Sequence, residues 1–276
     1  MNPHLAHKTN LIEIYATFIR NRKLVFQMAQ REVLGRYRGS FVGLAWSFFN
    51  PLLMLGVYTF FFSFVFKSRW GVPQEAGLAN FAVVLFVGLI LHGLFSECIN
   101  RAPTLINSNV TYVKKVIFPL EIIPMVAMGS ALFHAAMSTI VLLALHLMLE
   151  ESLSWTILLF PLVLAPLVVI TLGFSWFLAA TGVYVRDIGQ ITGTITSVLL
   201  FVSPVFYPIS ILPRQIQHLV MLNPLTFIIE ESRKVLLFNE IPNWIGLSVY
   251  TAVATLIAWL GFWWFQKTRK GFSDVL

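Results

Sequence analysis

The side chains in this sequence best suited to chemistry are two arginines in "GRYRGS", residues 35–40. Arg36 and Arg38 stand immediately before the first long apolar run. A guanidinium is a planar fork that binds phosphate oxygens in pairs, and Gly35 and Gly39 would let the backbone turn closely around such a ligand. The same charges also fit a second reading, in which they only hold that end of the run at one membrane face. Nothing else in the sequence resembles catalytic apparatus. There is no GxxxxGK[ST] loop to cradle ATP, no GxSxG elbow and no His–Glu zinc helix. His92, His134 and His146 each stand alone in an apolar stretch, as packing residues do. Glu97 has Arg101 one helical turn later, the spacing of a local ion pair. Glu97 and Glu121 fall near the ends of their runs, and no series of carboxylates crosses the apolar stretches as a proton-coupled pump requires. Cys98 is the single cysteine and cannot form an internal disulfide.

The elements that carry these residues are built for lipid. The chain of 276 residues is 58% hydrophobic and 11% charged, against about 25% charged in soluble domains. That is too little polar surface to cover a globule of this size. A spanning helix needs about 20 mostly apolar residues. Six such segments are expected, near residues 41–66, 80–99, 120–149, 155–183, 191–207 and 244–265, forming an all-α integral-membrane core over 41–266. Pro124, Pro161 and Pro166 fall in the long third and fourth segments, where tilt or kinking is expected. The first ten residues are polar and show no signal-peptide pattern.

The net charge of +7 does not indicate nucleic acid, because the basic residues gather at the ends of apolar runs. Lys8, Arg20, Arg22, Lys23, Arg31, Arg36, Arg38, Arg101, Lys114, Lys115, Arg186, Lys267, Arg269 and Lys270 fall on one side of a six-span chain. Only Lys67, Arg69, Arg214, Arg233 and Lys234 fall on the other, offset by six glutamates. The positive-inside rule then puts both termini in the cytoplasm.

Residues 10–34 are of another kind. Leu11, Tyr15, Phe18, Val25, Ala29 and Val33 recur at helical spacing, with Glu13, Arg20, Lys23, Gln27 and Arg31 on other faces. This is the pattern of an amphipathic helix at the membrane interface. Residues 208–243, which begin within "SPVFYPISILP" (residues 203–213), are apolar but broken by Pro208, Pro213 and Pro224. Two short helices are expected there, with Asn223 capping the second and Pro224 at its first position. Apolar helices of this length suit re-entrant segments better than spans. Broken backbone at membrane depth must be covered by protein or line a cavity, so the segment is expected to dip back from the outer side, as a gate or as packing between helices.

Two loops on the cytoplasmic side are compact enough to dock a soluble partner: the one containing Tyr112, Lys114 and Lys115, and "VYVRDIG" with Tyr184, Arg186 and Asp187. At this point the arrangement resembles the permease subunits of type-2 ABC polysaccharide exporters. "REVLGRYRGSFVGLAWSFFNPLLM", "VYVRDIG", and "SPVFYPISILP" followed by "LNPLTFIIEESRKVL" are similar to that family's first-span entry, its loop between spans four and five, and its segment between spans five and six. The likeness covers nearly the whole chain, so the chain reads as a single permease domain. It extends to exporters of O-antigen, capsule and teichoic acid without separating them.

The resemblance implies a homodimer of permeases in the bacterial inner membrane, joined by two copies of a P-loop ATPase that holds ATP and Mg. No cofactor is then expected in this chain. It implies that the amphipathic helix and both loops contact the ATPase, and that re-entrant helices gate the outer side. The substrate would be a polysaccharide carried in many members on a lipid pyrophosphate, for which Arg36 and Arg38 are the candidates. Sugars rest their C–H faces on aromatic rings. Trp46, Tyr58, Phe62, Phe206 and Tyr207 are the candidate rings of a conduit between two copies. The rival readings are an ABC permease for drugs or small lipids, and an integral-membrane acyl- or glycosyltransferase. The latter would need clustered His, Asp or metal-binding carboxylates, which the sequence lacks.

Overall fold

A computed structural model describes residues 10–61, 78–114, 118–150 and 153–276. Among these residues the regular structure is helical throughout. The α-helices are α1 (Leu11–Tyr37), α2 (Trp46–Thr59), α3 (Leu78–Arg101), α4 (Val110–Lys114), α5 (Ile123–Glu150), α6 (Phe160–Tyr184), α7 (Ile188–Val202), α8 (Arg214–Met221), α9 (Pro224–Leu236), α10 (Trp244–Thr268) and α11 (Phe272–Val275).

Among the described residues, four stretches are long and apolar enough to cross a membrane: Ala82–Thr104, Leu120–Glu150, Trp155–Tyr184 and Trp244–Val275. The first and fifth expected segments correspond to α2 and α7, whose described helices are shorter. Residues 62–66, where the first segment was expected to continue, lie outside the described residues. The fifth ends at Val202 rather than 207. Ser203 is already extended (φ −70°, ψ 150°), because Pro204 disfavours helical backbone before it and has no N–H to continue the ladder. Pro124 and Pro161 sit in the first turns of α5 and α6, where no N–H partner is lost. Of the three expected kink sites only Pro166 is interior to its helix.

The tightest packing joins α6 to α10. A Cβ on Gly261 would come within 2.0 Å of the Gly173 carbonyl oxygen, and one on Gly173 within 2.7 Å of the Ala258 backbone. In lipid there is no hydrophobic force between helices, and small residues let backbones approach and gain dispersion contact. Gly182 admits the Pro103 backbone in the same way. α1 packs along the first half of α5, with Val25, Ala29 and Val33 buried. Tyr15 and Phe18, expected on that face, are exposed.

Pairings define two ends. At one end Arg269 donates to Glu121 at 2.6 Å, the Tyr184 hydroxyl to the Thr268 carbonyl at 2.8 Å, and Arg101 pairs with Glu32 at 2.6 Å. α1 and the C-terminal turns therefore share this end. At the other, Thr156 donates to the Val235 carbonyl at 2.7 Å and Arg233 reaches the carbonyls of Val84 and Val205. Since α6 finishes at the first end, α7 and the residues after it carry the chain to the second.

Candidate functional site

Where α1 ends, it meets α3 and α5 at a cluster of charged side chains. Arg36 Nη2 donates to Glu97 Oε1 at 2.7 Å. Arg101, one turn beyond Glu97 on α3, lies 3.6 Å from the same oxygen and 2.6 Å from Glu32 of α1. His134 of α5 places Nδ1 at 2.9 Å from Glu97 Oε2. The local Glu97–Arg101 pair expected from spacing is present, but it is the longest of the three contacts Glu97 makes. His134, which looked solitary in the sequence, is one of its partners.

A cavity of about 400 Å³ opens beside this cluster. Arg36, Glu97 and His134 border it, with Asn50 and Tyr58 of α2 and His92 of α3. Behind it, His92 Nε2 lies 2.9 Å from the Thr196 carbonyl, and Thr196 donates to Asn100 at 3.0 Å. These bonds tie α3 to α7. The space thus combines hydrogen-bonding groups with ring faces.

Of the expected ligand residues that are described, only Arg36 and Tyr58 meet in this cavity. Gly35 does not turn the backbone; it lies inside α1. Gly39 does take a left-handed conformation (φ +85°). Arg38 is the extended C-cap of α1, and its side chain borders a separate recess with Gln27, Gln30 and Arg31. Two positions along a helix are about 200° around its axis, so the neighbours diverge. Trp46 is exposed on α2. Phe206 packs near Phe201, and the Tyr207 hydroxyl donates to the Val202 carbonyl, both toward the second end. Phe62 lies outside the described residues.

The expected docking loops lie at the first end. Arg186 and Asp187 are exposed between α6 and α7. Asp187 occupies the N-cap position of α7, but its side chain makes no capping bond. Tyr184 is engaged with the C-terminal turns, its ring 6.1 Å from Phe272. Tyr112 stacks on Phe118 at 4.3 Å, Lys114 closes α4, and Lys115 lies outside the described residues.

The proline-broken segment folds as two short helices. Pro208 and Pro213 precede a 3₁₀ turn and α8 respectively. Asn223 caps α9, accepting from the Leu225 N–H at 2.9 Å, and Pro224 opens it. The Asn223 amide also donates to Ser203 at 2.8 Å. Within α9, Arg233 is 2% exposed. It donates to the Val84 and Val205 carbonyls at 3.1 and 3.2 Å and to Glu230 at 2.8 Å. Burial lowers its pKa to about 10, which leaves it charged at neutral pH.

Residues 23–237 match the family model for ABC-2 type transporters. The chain belongs to that family. Among the relatives of this ABC-2 permease is the O-antigen export system permease protein RfbA of Myxococcus xanthus, 27% identical over 96% of this chain and 99% of that one. The RfbA permease of Klebsiella pneumoniae is 24% identical over 92% and 95%. The polysialic acid transport protein KpsM of Escherichia coli is 23% identical over 82% and 86%. An ABC-2 permease is a multi-pass membrane subunit and not an enzyme; the ATPase of the family is a separate subunit.

The sequence alone pairs Glu97 with Arg101, leaves His134 solitary and gives Glu32 no role. Glu32/Arg36 and Glu97/Arg101 are both opposite-charge pairs one turn apart, and each can be satisfied locally. That the two face each other is a property of helix rotation.

Proposed function

We propose that this ABC-2 permease exports a polysaccharide, carried on a lipid pyrophosphate, across the bacterial inner membrane. The observation that carries the reading is similarity along nearly the whole chain to proteins named for O-antigen export. In this reading α2 and α7 are short spans that complete six crossings, with both termini cytoplasmic. Two copies form the conduit, and α2 offers it the exposed rings of Trp46 and Phe49. Two P-loop ATPase subunits bind ATP and Mg and dock where Arg186, Asp187 and Lys114 are exposed. α8 and α9 dip back from the outer face as its gate. Arg36 takes the pyrophosphate at the inner headgroup level, beside Tyr58 for the adjoining sugar.

The test is deletion of the gene in its native host while labelled surface polysaccharide is followed. Lipid-linked glycan should accumulate at the cytoplasmic face and return to the surface on complementation. Normal glycan export with altered lipid or drug efflux would replace this reading with a small-molecule exporter.

A further inference from the structure

The Arg36 guanidinium already has a partner. Glu32 and Arg36, one turn apart on α1, face Arg101 and Glu97, one turn apart on α3. Opposite charges meet at 2.6 and 2.7 Å, so the four formal charges sum to zero. His134 adds a third contact to Glu97 from α5. Its Nδ1 lies 2.9 Å from Glu97 and 3.3 Å from Arg36 Nη1, and one ring nitrogen cannot donate and accept at once. The carboxylate requires a donor, so Nδ1–H points to Glu97.

A phosphate approaching this cluster meets a carboxylate on the guanidinium it needs. The two anions repel, and Arg36 cannot serve both through the same fork. Glu97 can nevertheless leave Arg36 without becoming an unpaired charge, because Arg101 and His134 remain within reach. The Arg36 side chain is 41% exposed and borders the 400 Å³ cavity, so there is access from one side.

We propose that Glu97 is the intramolecular rival of a substrate phosphate for Arg36, so that loading is an exchange of partners that removes one of the two ion pairs between α1 and α3. The phosphate takes Arg36, and Glu97 falls back on Arg101 and His134. This rests on the reading of Arg36 as the phosphate fork. It adds a consequence that reading lacks: occupancy of the site changes how the N-terminal helix is held to the bundle.

The test uses the permease purified with its ATPase and reconstituted in liposomes, with farnesyl pyrophosphate as probe and farnesol as control. ATP hydrolysis should respond to the pyrophosphate and not to the alcohol, and Arg36→Gln should remove the response. Glu97→Gln should lower the half-maximal pyrophosphate concentration about two- to fivefold, as expected for loss of one partly exposed competing ion pair. Arg101→Gln, which removes the fallback partner, should shift it the opposite way. If Glu97→Gln does not assemble, Arg101→Gln decides alone. An unchanged concentration in these variants, with the Arg36→Gln effect intact, overturns the exchange and spares the phosphate site. A response that survives Arg36→Gln, or no response in the unsubstituted complex, refutes the phosphate site and the exchange with it.

Discussion

The two ends of the bundle handle charge in opposite ways. At the end shared by α1 and the C-terminus, Glu97 is claimed by Arg36, Arg101 and His134, and each contact joins side chain to side chain. At the other end Arg233 is sealed inside and donates to two main-chain carbonyls, those of Val84 and Val205, as well as to Glu230. A carboxylate with spare partners can trade one for another at low cost. A sealed guanidinium held on backbone acceptors changes partners only at high cost, since leaving them would take a charge through a site without water. The first arrangement suits a joint that is made and remade, the second a bolt that holds α9 against the start of α3 and the loop after α7.

The largest expected effect is at the bolt. Arg233→Ala should destabilise the protein by about 3–5 kcal/mol, the range for breaking a buried ionic contact, read as a fall in thermal midpoint or loss of folded protein in detergent. If Arg233→Ala is as mild as a surface substitution, the contrast between the ends disappears.

A smaller and more selective effect is expected at the docking loop. Arg186→Ala and Asp187→Ala should insert and fold normally, because both side chains are exposed and Asp187 makes no capping bond. Export and stimulated ATP hydrolysis should both fall. Loss of expression in place of loss of coupling would mean that these residues serve the fold.

The smallest effect separates the joint from the bolt directly. Glu32→Gln removes one partly exposed ion pair and should cost about 1 kcal/mol or less in the same thermal assay. A loss comparable with that of Arg233→Ala would show that the α1–α3 joint is also a fixed structural bond.

Local signals were legible without the structure. Asn223 and Pro224 begin α9, and "RQIQHLVM" makes a separate short helix, each because a side chain or a missing N–H acts within a few residues. The stop that Pro204 imposes on α7 is equally local, yet the fifth segment was expected to run on to 207. The long apolar helices followed from composition for the same reason: transfer into lipid sums over neighbouring residues. Membership of the permease family was legible too, since its motifs lie in contiguous stretches.

What the sequence by itself determined is the solvent, the helical content, and local boundaries such as the start of α9, all additive or short-range quantities. The tertiary structure alone decided that Arg36 and Arg38 face different recesses, and that Glu97 gathers Arg36 from 61 positions away and His134 from 37. It alone brought Gly261 onto Gly173 and gave Arg233 its two carbonyls. These depend on how each helix is rotated about its axis and how closely it approaches its neighbour. In lipid those choices are made by packing and pairing between distant residues, for which hydropathy along the chain carries no signal.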